Sequence, residues 1–381
     1  MTLEGELVVT LRCDGQRVRG VDVRSTRPLV AGRFLAGKTA AEVAATIPLL
    51  YSICGGAQGA AAACALAAAG ATGFERASAA RDAGVVVEAL QEGFWHLLIG
   101  WPNAMGSEPQ VTPVTAARYQ IATSARATDG TDLLGDAAAM RGLAESLARL
   151  ADRALFGMPY RQWLTLPDFP ALAAWAAAGA TLPARLLAHV LAGAAPRHGA
   201  AAKLMPVPRR DLLLHVIAPA LRDDPTFARA PLWAGEPVET SALARMREHP
   251  LVAAVDRRLG HAPATRIVAR IAEVAQMLDV LAGAQAEAPR TQSVTLGDGD
   301  GLGAVETARG LLLHRVRLRD ECVADYQIVA PTEWNFHPQG TLVRGLADAP
   351  ADDRAALLRA ARLAVHSLDP CVACRVEVGH A

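Results

Sequence analysis

Apolar and polar side chains alternate along the first 25 residues, which is the pattern of strands that bury one face. The apolar positions form two runs: Leu7, Val9 and Leu11, then Val18, Val21 and Val23. Asp14-Gly15 separates the runs, and this pair favours a tight hairpin turn. The chain is therefore predicted to begin with a small antiparallel sheet.

After the predicted sheet, the spacing of apolar residues becomes that of helices. Thr39 and Glu42 form a capping box at the start of a short helix, which Pro48 is expected to end shortly before Cys54. The next apolar run predicts a buried helix ending before Pro102: Val87, Leu90, Phe94 and Leu98. Several further helices rich in alanine and leucine are expected between residues 137 and 261.

A longer helix is predicted after residue 262. Its apolar residues recur at steps of four, three, four and three: Ile267, Ile271, Val274, Leu278 and Leu281. Pro263 lies near its start and Gly283 just past its end, an arrangement typical of helix termini.

The last part of the chain combines strands with one more helix. A hairpin is predicted from Leu311–Arg319 and Cys322–Val329, turning at Asp320-Glu321, and Gly297–Gly301 is predicted to be a turn. Asp352 is expected to cap the last helix. Together these elements predict an α+β fold in a single domain, 1–381. It would comprise an N-terminal sheet (1–36), a helical body (37–285) and C-terminal strands, a helix and a Cys-x-x-Cys segment (286–381).

Charge and composition exclude several classes of function. The 38 basic residues balance 38 acidic ones, so the basic excess of a nucleic-acid-binding protein is missing. The least polar run, Ile53–Phe74, is mostly alanine and glycine and contains Gln58, which favours a packed internal helix over a membrane span. The N-terminus lacks the features of a secretion signal. We therefore expect a cytoplasmic protein with neither a membrane nor a nucleic-acid partner.

The cysteines are the candidates for chemistry, because a disulfide framework is not expected in a cytosolic chain. Cys371 and Cys374 form a Cys-x-x-Cys pair that could bind a soft metal ion. A redox role would need a strand-to-helix setting, whereas this pair follows a helix. Structural zinc would need two more ligands, which Cys54 and His380 could supply. The remaining cysteines are expected to be ordinary buried or edge residues: Cys13, Cys64 and Cys322.

Five short motifs together resemble the large subunit of nickel-iron hydrogenases. They are Leu3-Glu-Gly5, Ser52-Ile-Cys-Gly55, Ala308-Arg-Gly-Leu-Leu-Leu-His314, Pro331-Thr-Glu-Trp-Asn335 and Asp369-Pro-Cys-Val-Ala-Cys374. In that family an early Arg-Ile-Cys-Gly-x-Cys segment and a terminal Asp-Pro-Cys-x-x-Cys segment supply four thiolates. The resemblance covers both ends of the chain and is weak between about 110 and 240. It implies a mostly helical fold with small antiparallel sheets near both ends.

Departures from that family indicate a different function. Ala57 stands where the family has a cysteine, Ala61 where it has a histidine, and Glu377 where a histidine follows the terminal pair. Gln339-Gly340 replace a usual Arg-Asp, and no removable C-terminal extension is expected. Because an alanine methyl group cannot bind a metal, a nickel-iron centre with four thiolates cannot form. Nickel is therefore not expected.

This combination resembles the HupK/HoxV family of hydrogenase maturation proteins. The resemblance implies a non-catalytic scaffold that transiently holds iron carrying cyanide and carbon monoxide. The scaffold would receive this iron unit from the hydrogenase assembly complex and transfer it to the hydrogenase large-subunit precursor.

The same resemblance implies roles for individual residues. It assigns metal binding to three cysteines: Cys54, Cys371 and Cys374. Arg309 and Thr332 match positions that donate hydrogen bonds to cyanide, Asp369 would orient Arg309, and Glu4 matches a gating glutamate. Without the family, Arg309 would be interpreted as a solvated arginine at a strand end and Thr332 as a turn residue.

Two alternatives remain open at this stage. The first is a divergent catalytic hydrogenase large subunit, which would contain nickel. The second is a structural or binding protein stabilised by zinc on four residues: Cys54, Cys371, Cys374 and His380. His314 is expected to be hydrogen-bonded within the fold. The maturation hypothesis requires that Cys54 and the Cys371 segment meet in space.

Overall fold

The computed structural model describes residues 5–27, 31–51, 53–74, 78–126, 136–193, 202–283 and 289–380. A body of helices is combined with a three-stranded and a four-stranded sheet. The predicted α+β fold class is thereby confirmed. Two short strands, β3 (Lys203–Leu204) and β4 (Val238–Glu239), also pair in parallel.

The three-stranded sheet joins the two ends of the chain. β1 (Glu6–Cys13) and β2 (Val18–Ser25) form the predicted antiparallel hairpin, and β9 (Ala373–His380) pairs with β1 in parallel. The buried side chains of β1 are the alternating ones named above: Leu7, Val9 and Leu11. β9 was not predicted, because its partner strand lies at the other end of the sequence.

The four-stranded sheet is an antiparallel meander. Its strands are β5 (Thr291–Gly297), β6 (Asp300–Thr307), β7 (Gly310–Arg319) and β8 (Cys322–Val329). The predicted β7–β8 hairpin is confirmed, and Asp320 and Glu321 adopt the positive φ angles, 50° and 61°, of a tight two-residue turn. β5 and β6 were not predicted; the glycine-rich turn connects them, with Gly299 at φ 67°.

Two glycines bring helix α3 (Gly55–Ala68) directly onto this sheet. A Cβ atom at Gly301 would lie 2.2 Å from the carbonyl oxygen of Ala65, and one at Gly303 would lie 2.2 Å from that of Ala61. The backbones therefore pack without intervening side chains. Because Ala61 lies over Gly303, the N-terminus of α3 points towards the end of β6 at Thr307. Cys54 is thereby placed beside the β6–β7 turn.

The helical body is centred on α15 (Pro263–Leu281), the predicted long helix, which is buried along most of its length. Both α4 (Ser78–Trp95) and α18 (Arg354–Ser367) pack against it. The other helices are α1 (Ala31–Leu35), α2 (Ala40–Leu50), α5 (Trp101–Ala104), α6 (Val111–Arg126), α7 (Ala137–Ala151), α8 (Tyr160–Leu164), α9 (Phe169–Ala178), α10 (Leu182–Ala192), α11 (Arg210–Leu212), α12 (Ala218–Asp223), α13 (Ala242–Met246), α14 (Pro250–Leu259), α16 (Pro331–Asn335) and α17 (Thr341–Leu346).

Three predicted helix boundaries are wrong. Pro48 lies inside α2, where its ring packs beside Gly59 of α3, so tertiary packing overrides the proline. The helix that contains Phe94 does not end before Pro102, because it continues through the π-helical turn His96–Gly100 into α5, which contains Pro102. Asp353, one residue later than predicted, caps α18.

Among the described helices, none is by itself long and apolar enough to cross a membrane. Only α9 and α10 taken together, bent by 117° relative to each other, meet that requirement by length and composition.

Candidate functional site

Cys54 lies at the N-terminus of α3, directly before two glycines. The carboxylate of Glu88 on α4 accepts hydrogen bonds from the backbone N–H groups of Gly56 at 2.7 Å and Ala57 at 3.0 Å. A Cβ atom at Gly56 would lie 2.6 Å from this carboxylate, so a side chain there would have to displace Glu88. Glu88 therefore caps the helix, and the Cys54 sulfur is left for other contacts.

That sulfur is one end of a chain of hydrogen bonds that runs into the sheet. Nε2 of Gln58 donates to Cys54 Sγ at 3.6 Å, and Oε1 of Gln58 accepts from Nε2 of His314 at 2.8 Å. Nδ1 of His314 then accepts from the hydroxyl of Tyr326, also at 2.8 Å. Burial lowers the pKa of His314 to about 3, so the ring is neutral at pH 7. His314 is thus hydrogen-bonded within the fold, as predicted.

The surroundings of Cys54 favour the protonated thiol. Burial raises the pKa of Cys54 to about 12, and Cys371 and Glu88 add to this effect. Arg309 and the Gln58 amide act in the opposite direction. A soft metal ion that binds this sulfur would therefore have to displace its proton.

Cys371 lies just before β9, and its sulfur contacts two polar side chains from distant parts of the sequence. Nη2 of Arg27 donates to Sγ at 2.8 Å, and the Thr332 hydroxyl on α16 lies 2.9 Å from the same sulfur. The Cys371 backbone N–H also donates to Thr332 Oγ1 at 3.4 Å. Thr332 is buried within a helix, so its interpretation as a turn residue is wrong.

Arg27, two residues after the end of β2, is a site residue that was not predicted. Its backbone passes so close to Gly5 that a Cβ atom there would lie 2.6 Å from Arg27 Cα, and Gly5 has φ 71°. Burial alone would lower the pKa of the Arg27 guanidinium, but the charges of Cys371 and Glu333 raise it above its ordinary value. In the sequence, Gly5 signals a close approach without identifying the residue approached.

Cys54 and Cys371 line the same cavity, which has a volume of about 20 Å³. The structure thus brings together two sulfurs that are 317 positions apart (371 − 54). Apolar and aromatic groups make up much of the remaining wall: Tyr51, Ile53, Leu312, Ala330 and Pro331. Electrostatic interactions are stronger in such a poorly hydrated space than in water.

Arg309 in the β6–β7 turn places a buried cation at this cavity. It is 4% exposed, so its interpretation as a solvated arginine is wrong. Its Nη2 donates to Glu92 on α4 at 2.9 Å, and its Nε lies 3.4 Å from an oxygen of Asp369. Among the described residues this Nε has no partner with hydrogen-bond geometry. Arg309 thus brings a buried positive charge to the cavity wall, which suits an anionic ligand.

Asp369 connects Arg309 to a wider network of buried charges. Its carboxylate also accepts from Nδ1 of His96 and Nη2 of Arg270, each at 3.1 Å. Burial raises the pKa of Asp369, but Arg309, His96 and Arg270 together hold it well below its ordinary value. Burial lowers the pKa of His96 to about 4, although Asp369 opposes this shift. The expected pairing of Asp369 with Arg309 is present, within a larger network that was not predicted.

Cys374 is placed differently from the other two predicted ligands. It lies in β9 opposite Leu7 and packs against the apolar cluster beside the three-stranded sheet. Burial raises the pKa of Cys374 to about 12, with a further contribution from Glu6. Cys374 does not line the cavity that Cys54 and Cys371 share. Its role as a third metal ligand stays a prediction, and Glu4 lies outside the described residues.

The four zinc ligands considered above do not come together. Cys374 and His380 lie at opposite ends of the extended strand β9, about 20 Å apart at 3.3 Å per residue. Zinc ligands all lie within about 2.3 Å of one ion. No cluster of three or more His, Cys, Asp or Glu side chains suited to a metal occurs within the described part of the chain. The four-ligand zinc site is therefore wrong for this fold.

Comparison with known proteins identifies the class to which this fold belongs. Residues 247–377 match the nickel-dependent hydrogenase family. The structure resembles the Ni-Fe-Se hydrogenase from Desulfovibrio vulgaris Hildenborough, with a TM-score of 0.62, 94% of each chain covered and 15% sequence identity. The chain thus has the fold of a nickel-dependent hydrogenase large subunit.

Relatives of full length then define the family. The chain is 34% identical to the hydrogenase expression/formation protein HupV of Azotobacter chroococcum mcd 1, with 100% of both chains covered. It is 32% identical to the hydrogenase expression/formation protein HupK of Bradyrhizobium diazoefficiens, over 100% of this chain and 99% of that protein. The chain belongs to the HupK/HoxV family of hydrogenase expression/formation proteins, which confirms the resemblance seen in its sequence.

Proposed function

We propose that this protein is a non-catalytic scaffold in nickel-iron hydrogenase maturation. It would transiently hold an iron unit that carries cyanide and carbon monoxide, and pass this unit to the large-subunit precursor. The observation that carries the proposal is the cavity that holds two cysteine sulfurs beside the buried guanidinium of Arg309. Its partners would be the complex that delivers the iron unit and the precursor that accepts it.

The chemistry of the cavity suits such a ligand. Thiolates from Cys54 and Cys371 are soft ligands for iron. Metal-bound cyanide is anionic, and the Arg309 guanidinium and the Thr332 hydroxyl are donors of the kind that stabilise it. At about 20 Å³ the space holds little more than a water molecule, so the walls must open to admit a larger group.

Ala57 is the feature that supports transfer over catalysis. Its side chain is fully buried in an apolar cluster that includes Val85, Val305 and Leu312. A fourth sulfur is therefore replaced by a packed methyl group. Fewer sulfur ligands weaken retention of the iron, and each loss of about 1.4 kcal/mol favours release about tenfold.

Anaerobic infrared spectroscopy tests the proposal. Protein isolated together with the assembly machinery is expected to show carbon monoxide and cyanide bands, with iron and without nickel by elemental analysis. Cys54→Ala and Cys371→Ala are expected to abolish the bands, because each removes a sulfur that lines the cavity. Cys322→Ala, at the start of β8, is the matched control and is expected to retain them.

Other outcomes would identify the other functions. Stoichiometric nickel with hydrogen-dependent dye reduction would instead show a catalytic hydrogenase. Folded protein without iron bands under any loading condition would contradict the proposal. Cys374→Ala was predicted from the family resemblance to abolish the bands. If it does, Cys374 is a third ligand; if the bands persist, the ligands are limited to the two sulfurs in the cavity.

A further inference from the structure

A second and larger cavity adjoins the one that holds the two sulfurs. It has a volume of about 470 Å³, and Arg27, Tyr51 and Ala330 line both spaces. We call this second space the outer cleft and define it by these three residues together with Arg33, Asp325 and Glu333. Arg33 of α1 is exposed to solvent, whereas Glu333 of α16 is buried. The outer cleft therefore reaches from the surface to the residues that flank Cys371.

Apart from Ile53, which is 38% exposed, the walls of the cysteine cavity away from the outer cleft include tightly packed residues. Gln58 is 2% exposed, Leu312 0% and Arg309 4%. Gln58 and Arg309 are also held by hydrogen bonds to His314 and Glu92. Displacing either of them would leave buried polar groups without partners, which is costly. The boundary shared with the outer cleft can open without displacing either of them, and it leads to a much larger space.

Arg27 is the charged residue at that boundary. Its guanidinium donates to Cys371 Sγ at 2.8 Å and also interacts electrostatically with Glu333. Glu333 stands where the hydrogenase motif has threonine, so this chain has a buried carboxylate beside the guanidinium that the motif lacks. An arginine that leaves the Cys371 sulfur therefore still has an anionic partner nearby.

We propose that the outer cleft is the route by which a small anionic metal complex reaches and leaves the two sulfurs, and that Arg27 is the positioning residue at its inner end. The nature of the complex rests on the proposed function; the route does not. The cleft is lined by two arginines, Arg27 and Arg33, and by two acidic residues, Asp325 and Glu333, so the preference for an anion at the sulfur rests on the direct contact between Arg27 and Cys371 Sγ. On leaving Cys371, the Arg27 guanidinium pairs with Glu333 and frees the sulfur for iron.

Labelling of cysteine measures this route without any iron. The full-length protein is treated with methanethiosulfonate reagents of similar size that are anionic, neutral or cationic. The rate of mixed-disulfide formation at Cys371 is followed by mass spectrometry with fragmentation, which separates it from Cys374. We expect the anionic reagent to react about tenfold faster than the cationic one. Arg27→Gln is expected to bring this ratio close to one, whereas Arg24→Gln, an exposed arginine on β2, should leave it unchanged.

Obstruction of the outer cleft is the second arm of the test. Ala324 on β8 and Ala36 after α1 are exposed alanines that line the outer cleft. Ala324→Trp and Ala36→Trp are each expected to slow labelling of Cys371 at least about tenfold, by filling the passage. Ala122→Trp, on the exposed face of α6, is the control. An unchanged rate in both folded tryptophan variants, or an unchanged charge ratio in Arg27→Gln, overturns the proposal.

The two proposals fail separately. If tryptophan blocks labelling but no infrared bands are ever found, the route stands and the identity of the bound unit is wrong. If the bands are found and the tryptophan variants label normally, the unit is right and the route is wrong.

Discussion

The two sulfur-bearing sides of the cavity are built in opposite ways. The Cys54 sulfur accepts a hydrogen bond from a neutral group, the Gln58 amide, which in turn binds the uncharged ring of His314. Cys371 is held by an arginine, Arg27, and by a hydroxyl from another helix. We refer to these as the neutral side and the charged side. The charged side also includes Asp369, two residues before Cys371, and its partner Arg309.

Because of this difference, the two sides of the cavity depend on the rest of the fold to different degrees. On the neutral side the partner of the sulfur comes from the same helix, four residues away, so the arrangement forms with the helix. On the charged side every partner of Cys371 comes from a distant part of the chain, so that side depends on correct assembly of the whole fold. Buried ions are also sensitive to the loss of a single partner. The charged side is therefore the more fragile of the two.

The largest expected effect comes from removing the charge of Asp369. Asp369→Asn keeps the shape and tolerates φ 54°, but leaves Arg309 and Arg270 with a neutral partner. We expect the free energy of unfolding, measured with urea, to fall by about 3–5 kcal/mol. Asp22→Asn is the control, because its ion pair with Arg12 is exposed, and it should change stability by less than about 1 kcal/mol. Equal effects would show that burial does not distinguish the two pairs.

The second prediction concerns the neutral side and how the stability of the protein changes at acidic pH. The pKa of His314 is lowered to about 3 from an ordinary value of 6.5, so below pH 6.5 the unfolded chain binds a proton that the folded chain does not. Its contribution to stability is complete above pH 6.5 and is lost as the pH falls towards 3. Between pH 7 and pH 5 the loss is about 2 kcal/mol.

Because buried carboxylates also titrate, the comparison is made between two proteins. His314→Gln cannot titrate, and we expect its urea stability to fall by about 2 kcal/mol less than that of the wild type between pH 7 and pH 5. If both proteins lose the same stability, His314 is not held neutral in the fold.

A smaller effect is expected from the glycine that positions Arg27. Gly5→Ala would place a methyl group 2.6 Å from Arg27 Cα and force alanine into positive φ. Gly15→Ala shares the positive φ but meets nothing within 4 Å. We expect Gly5→Ala to lower thermal stability by about 1–2 kcal/mol more than Gly15→Ala. The Arg27-dependent charge ratio in cysteine labelling should fall only in Gly5→Ala; a fall in both variants would mean that Gly5 has no specific role.

The sequence revealed the features that depend on neighbouring residues, and it did not reveal those that depend on distant ones. The capping box at Thr39, the helix that begins at Pro263 and the turn at Asp320-Glu321 were predicted, because each depends on residues close together in the chain. Gln58 was overlooked as a site residue, although its position four residues after Cys54 on one helix is a detectable signal.

Other parts of the site leave no local signal. The bond from Arg27 to Cys371 spans 344 positions, and nothing around Arg27 distinguishes it from an exposed arginine. The burial of Arg309 depends on Glu92 and Asp369, which approach it only in the folded chain. The motifs of the hydrogenase resemblance identified Arg309 and Asp369, whereas residue types and spacing alone gave the wrong interpretation of Arg309.

The separation of the two cysteines in the sequence also determines the order in which the two sides of the cavity are translated and fold. Cys54 is translated early and its helix can form at once, but Cys371 follows 317 residues later, and so does β9, which closes against β1. Folding proceeds from the N-terminus during translation, and such distant contacts form late. Under the proposed function, a growing chain that still lacks Cys371 presents only one of the two sulfurs, so it cannot hold the iron unit until that segment has been added and has folded.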